Sequence, residues 1–188
     1  MGLDMYLQTN SPALTRFLES RGLLDPVFEG SRRRGVIGYW RKANAIHKWM
    51  EENLSEPVEN CRSSAVTVGN LRNLKRACDD VIANSHTVES DECFAGFYVK
   101  DGKEVRVKRI GRLITNPEYA QSILPTCEGF FFGDTEYDDL YLDSLAYTSK
   151  LLDAILPYLS NSGEYFPTDY HLWREEGWVV EFTYRASW

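Results

Sequence analysis

The chain has 188 residues, with 21 Lys and Arg against 28 Asp and Glu, for a formal net charge of −7. Hydrophobic residues make up 43% and aromatics 13%, enough apolar surface to offset chain entropy and to exclude intrinsic disorder. The negative balance excludes general coating of nucleic acid, which needs a cationic surface. The length suits a single domain over 1–188.

No stretch reaches the roughly 18 apolar residues of a membrane span, and Met1–Met5 lacks the basic and apolar regions of a secretion leader. No membrane association is expected. Cysteines stand at 61, 78, 93 and 127 with no C-x-x-C. Reduced, mostly buried thiols in a cytoplasmic protein are expected rather than a zinc ribbon.

The charge is unevenly spread. Residues 1–50 carry eight basic and four acidic side chains, and residues 51–188 carry thirteen and twenty-four. Basic knots sit at Arg32-Arg33-Arg34 with Arg41-Lys42, and at Arg106–Arg109 with Arg112. The acidic excess gathers at Asp134–Asp139 and in the C-terminal third. Such polarity bears on the steering of partners, not on fold.

Along the chain, Leu3, Met5 and Leu7 alternate with Asp4, Tyr6 and Gln8, which predicts a half-buried strand. Residues 9–35 read as an elaboration with a short helix near Ala13–Ser20. A helix is predicted over Trp40–Asn53. Tyr39, Ala43, Ile46, Trp49, Met50 and Leu54 share one apolar arc, and Trp40, Asn44 and His47 lie at its margin. Ser63–Val66 predicts a strand. Thr67 caps a helix with Leu71, Leu74, Cys78, Val81 and Ile82 at helical spacing.

Residues 87–115 read as a second elaboration. Asp101-Gly102 predicts a type I′ hairpin over about 97–107. Asn116-Pro117 opens a short helix that ends before Pro125. Gly129–Gly133, with three phenylalanines, predicts a buried segment or strand. Thr135-x-x-Asp138 resembles a capping box before a long helix, about Asp138–Leu156. Residues 160–177 form a third elaboration. Trp178–Trp188 predicts a strand with Val180, Phe182, Tyr184, Ala186 and Trp188 on one face.

These elements predict an α+β fold: a small, mainly antiparallel sheet, including both terminal strands, packed on two to four helices. Pairing of the terminal strands would set Asp4 and Tyr6 beside Thr183, Arg185 and Ser187. An Asp4–Arg185 cross-strand pair is then expected.

The candidate site follows from that pairing. Asn44 and His47 at i, i+3 can point at one spot. Arg41 and Lys42, near a helix start, suit an anion. Trp40 and Tyr6 could stack a base. Were the site catalytic, His47 would be the acid or base, Asp4 its orienting partner and Arg185 the charge stabiliser. Asp138 and Asp139 are the weak metal candidates, at the start of an acidic helix turn. His86 and His171 have no ligand-spaced partner. No nucleophile elbow, phosphate loop, zinc-helix motif or dinucleotide fingerprint is present, and no cofactor is expected.

Four segments carry a resemblance: Met1–Leu7, Gly38–Trp49 (GYWRKANAIHKW), Leu124–Gly133 with Tyr137-Asp138, and Tyr184-x-x-Ser187-Trp188. In this order the chain resembles a family of uncharacterised proteins from bacteriophages and prophages. Met50 departs from that pattern, which tends to an aromatic there. The resemblance implies phage origin and life in the cytoplasm of a bacterial host, and no established chemistry. Three readings follow. The first is an anti-defence protein that captures a small anionic, nucleotide-like ligand at Tyr6, Trp40, Arg41, Lys42, Asn44, His47 and Arg185. The second is an enzyme acting on a nucleotide or phosphoester through His47. The third is an acidic inhibitor of a host nucleic-acid-binding protein. A host protein and a second copy of the chain are the other candidate partners.

Overall fold

The computed structural model describes residues 2–22, 35–159 and 180–188. The Arg32–Arg34 knot, His171, the whole of the 160–177 elaboration and the first two residues of the last predicted strand lie outside the described residues.

The elements run β1 (Asp4–Thr9), α1 (Pro12–Ser20), β2 (Val36–Arg41), α2 (Asn44–Asn53), β3 (Ser63–Val66) and α3 (Val68–Asn84). They continue with β4 (Thr87–Lys100), β5 (Lys103–Ile114), α4 (Pro117–Ile123), α5 (Asp139–Ile155), a 3-10 turn at Leu156–Tyr158 and β6 (Phe182–Ser187). The fold is α+β. Among the described residues, one sheet has four antiparallel strands in the order β2-β1-β6-β3, and β4 and β5 form a separate two-stranded ribbon. The two terminal strands pair as expected and form the centre of the sheet.

The alternation read from sequence decides which face is buried. Leu3, Met5 and Leu7 from the first strand and Phe182, Tyr184 and Ala186 from the last are all buried. They share a core with Ile46 and Met50 of α2, Leu71, Leu74 and Val81 of α3, and Leu145, Leu152 and Ile155 of α5. Each fully buried Leu or Ile contributes about 2 kcal/mol of transfer free energy. Thr67 caps α3 as predicted, and Asn70 completes a reciprocal capping box.

One element is corrected. Residues 36–41 form a strand rather than the start of the predicted helix, which begins at Asn44. Val36-Ile37-Gly38-Tyr39-Trp40 is β-branched and aromatic, and it pairs with β1 in the register Met5↔Trp40 and Tyr6↔Tyr39. So short an apolar run fits both periods, and the pairing partner decides. Lys42, at φ 59, turns the chain from strand to helix. Gly38 is dictated by close approach, since a Cβ there would meet Leu151 Cδ2 at 2.5 Å.

The hairpin carries the predicted turn, with Asp101 at φ 52 and Gly102 at φ 74. It extends well beyond 97–107, because register breaks between Ser90 and Cys93 and between Phe94 and Gly96 hide its alternation. Its base docks on the segment before α5. Ile114 N–H donates to Tyr137 O at 2.9 Å, and Arg106 pairs with Glu136 at 2.7 Å.

The Gly129–Gly133 run is a turn, neither strand nor wholly buried. Phe130 is 95% exposed, Phe131 O accepts from Leu3 N–H, and Phe132 packs inward. The long helix is capped by Asp138 itself, whose side chain accepts from the N–H groups of Leu140 and Tyr141. Of the four free cysteines, Cys78 and Cys93 are buried, Cys127 is half-buried and Cys61 is exposed.

Candidate functional site

A cavity of about 500 Å³ opens beside the start of α2, within the size range of small-molecule sites. Its walls come from the end of β2 with the first turn of α2, from Phe94 and Ala95 of β4, from the segment around Asp134, and from α5 between Leu140 and Tyr147. Trp40, Phe94 and Tyr147 give it aromatic sides.

Two cationic side chains, Arg41 and Lys42, border the cavity. Lys42 is exposed; its backbone N–H donates to Leu3 O at 2.8 Å, and its ammonium makes no hydrogen bond or ion pair among the described residues. It precedes a helix whose N-cap, Ala43, has no side chain to occupy the first N–H groups. Arg41 stands beside it, 3.2 Å from Asp4 Oδ1. Asp4 also accepts the Tyr39 hydroxyl at 2.5 Å, and burial together with that carboxylate pushes the Tyr39 phenol upward.

Carboxylates line the cavity as well, at Asp134 and Asp143. Burial raises the Asp134 carboxyl, and Asp143 is exposed with no partner among the described residues. Glu136 and Asp138 also border the cavity, but Arg106 and Arg109 neutralise them.

His47 lies away from this cavity and is fully buried. Its Nδ1 sits 2.8 Å from the Tyr184 hydroxyl. Its Nε2 lies 3.3 Å from Glu51 Oε1 in a geometry that makes no hydrogen bond. Phe132 and Trp188 meet its ring edge-on, at centroid distances of 5.0 and 5.1 Å. Burial pushes the imidazole down to about 4 and raises the Glu51 carboxyl. The ring is therefore neutral at pH 7.

Asn44 is also buried, and its amide acts as an internal clamp. Nδ2 donates to Phe132 O at 3.2 Å and to Asp134 O at 2.7 Å, and Oδ1 accepts from Cys127 N–H at 3.4 Å. Trp40 is fixed in turn by donating from Nε1 to Thr148 Oγ1 at 2.8 Å.

The residues proposed from sequence thus divide between two faces of the sheet. Residues directly opposite in neighbouring strands share a face. Asp4, Tyr6, Tyr39, Arg41 and Arg185 share the face turned away from the helices. His47 meets Tyr184, on the helix-packed face. The expected single pocket joining Asn44 and His47 to Tyr6 and Arg185 is therefore not formed. The expected Asp4–Arg185 pair is replaced too. The register sets Asp4 opposite Ser187 and Arg185 opposite Tyr6, and Arg185 Nε donates to Cys61 O at 3.2 Å. Of the proposed set, Trp40, Arg41, Lys42 and Asn44 border the cavity.

The metal candidates are engaged elsewhere. Asp138, Asp139 and Cys93 approach one another closely enough to offer three ligand atoms. The Arg109 guanidinium already occupies the carboxylates, with Nη2 at 2.8 Å from Asp138 and 2.5 Å from Asp139. Asp138 Oδ1 caps α5. Burial, and after it the nearby carboxylates of Asp138 and Asp139, also raises the Cys93 thiol, away from the thiolate a metal needs. A guanidinium stands where a cation would.

Sequence reasoning missed Phe94 and Tyr147. Asp143 and Tyr147 are four apart on α5, a spacing that marks one helix face. Phe94 lies beside a bulge and carries no such signal. Comparison with protein-family models, curated proteins and solved structures finds no match.

Proposed function

We propose that the protein binds a small anionic, nucleotide-like ligand without turning it over, and that it acts as a phage anti-defence protein in the host cytoplasm. The phage assignment rests on the motif resemblance. The binding assignment rests on one observation: a cavity of about 500 Å³ whose lining combines Lys42, aromatic side chains, and the carboxylates Asp134 and Asp143. Phosphate would sit between Lys42, Arg41 and the first N–H groups of α2. A base would lie against Trp40, Phe94 and Tyr147, with exocyclic amines turned to the carboxylates.

Catalysis has less support. His47, the acid–base residue the enzyme reading needs, is neutral, buried and outside the cavity wall. The inhibitor reading also loses ground, because Arg106 and Arg109 consume much of the acidic cluster internally.

Native mass spectrometry of gently purified protein, repeated after denaturation, tests the proposal. An intact small phosphate-bearing mass, released on unfolding, is expected. Recovery of a hydrolysed product alone would favour the enzyme. No bound mass, together with no heat of binding from a panel of nucleotides, would overturn the reading.

A further inference from the structure

The cavity beside α2 has an uneven stock of hydrogen-bonding groups. Neutral side-chain donors along its wall are spent inside the protein. Trp40 Nε1 donates to Thr148, the Asn44 amide to the carbonyls of Phe132 and Asp134, and the Tyr39 hydroxyl to Asp4. The hydroxyls of Thr126, Ser144 and Tyr141 donate to the carbonyls of Thr135, Leu140 and Leu124, at 3.2, 2.9 and 2.9 Å. The Tyr147 hydroxyl is engaged as well, accepting from Tyr39 N–H at 3.2 Å. The wall still offers a cation at Lys42 and an acceptor at Asp143, whose carboxylate has no partner among the described residues.

Such a wall selects a ligand that is anionic in one part and presents donors in another. Among nucleotides, the pairing edge of the base decides the match. Guanine carries two adjacent donors, N1–H and the N2 amine, spaced for the two oxygens of one carboxylate. Adenine and cytosine place an acceptor nitrogen beside the amine, and uracil flanks its single N–H with two carbonyls. Each of these sets a lone pair against a carboxylate, with no spare neutral donor to relieve it. Asp143 and Tyr147 both line the cavity. They stand one turn apart on one face of α5, with about 5–6 Å between Cβ atoms, so a base laid against Tyr147 can turn its edge to Asp143. Asp134 is less suited, because one of its oxygens already accepts Glu136 N–H at 2.7 Å.

We infer that the cavity is a guanine-nucleotide site, in which the Asp143 carboxylate accepts from N1–H and the N2 amine of the base. The guanine preference rests on the nucleotide reading and narrows it to one base.

Calorimetric titration of the dialysed full chain with GMP, IMP, AMP and XMP tests the inference. GMP should bind about tenfold tighter, or more, than AMP and than IMP, which lacks the N2 amine. Asp143→Asn offers one acceptor and one donor, the complement of xanthine's N1–H and C2 carbonyl. The variant should lose about tenfold for GMP and gain about tenfold for XMP, a reversal that a merely structural role would not produce. Asp143 is exposed, and far-UV circular dichroism reports that the variant folds. AMP or IMP binding as tightly as GMP would overturn the guanine assignment and leave the nucleotide reading standing. A GMP preference unchanged in folded Asp143→Asn would overturn the role of Asp143. Heat from none of the four would overturn the guanine site too, and with no bound mass in native mass spectrometry the nucleotide reading falls as well.

Discussion

His47 Nδ1 and the Tyr184 hydroxyl meet at 2.8 Å, tying the first turn of α2 to the central strand β6. The contact is buried and has a pH signature. The folded imidazole titrates at about 4, below the ordinary 6.5. Between those values the unfolded chain takes up a proton that the folded chain refuses. This contribution is therefore complete above pH 6.5 and is lost as pH falls toward 4, by about 3 kcal/mol in full. Urea midpoints measured on both sides of this window should fall with pH in the native protein. In His47→Phe the slope should be shallower.

Asn44→Ala removes two donors from the carbonyls of Phe132 and Asp134. A loss of about 2 kcal/mol is expected, because the carbonyls lose their partner in a half-buried site. Hydrogen exchange should quicken at the Cys127 amide, which Asn44 Oδ1 now accepts. Exchange in α3 should be unchanged below global unfolding.

Arg109→Met leaves the buried Asp138 carboxylate without its counter-charge. Destabilisation of about 3 kcal/mol is expected. Thermal unfolding measures it, and hydrogen exchange in β4 and β5 should show the hairpin base released. Lys at the same position restores charge but not the fork that reaches both carboxylates, so R109K should recover only part of the loss.

Lys42 has a left-handed backbone, which costs a non-glycine residue about 1 kcal/mol. Lys42→Gly should therefore fold at least as stably as the native chain while losing the cation at the cavity. Thermal unfolding checks the first expectation. Loss of the bound mass in native mass spectrometry checks the second. Lys42→Glu should abolish capture at similar stability.

The terminal strands were legible because each has a complete apolar face: Leu3, Met5 and Leu7 in one, Phe182, Tyr184 and Ala186 in the other. The cap of α3 at Thr67 was legible because capping is local chemistry. The start of α2 was not, because Tyr39 and Trp40 satisfy helical spacing while β1 recruits them into the sheet. The site was half legible. Lys42, Arg41 and Trp40 do border a cavity. The same alternation that buries Tyr184 puts Arg185 on the other face, so a pocket uniting His47 with Arg185 conflicts with the strand pattern itself. The roles of Asn44 as a clamp and of Arg109 as the counter-charge of Asp138 depend on contacts between distant segments, which no local spacing records.

The strand order β2-β1-β6-β3 bears on how the molecule assembles. Residues 4–9 must find residues 182–187 before the middle of the sheet exists. The loop closed by that step spans nearly the whole chain, so its entropy is spent late and the contact is highly non-local. The helices can form early, but among the described residues β3 has only β6 to pair with, and β1 keeps a single neighbour until β6 arrives. A nascent chain stopped before Phe182 therefore exposes the apolar faces of β1 and its helices. Synthesis past that point should act as the commitment step, turning a loose set of helices into a cooperative whole.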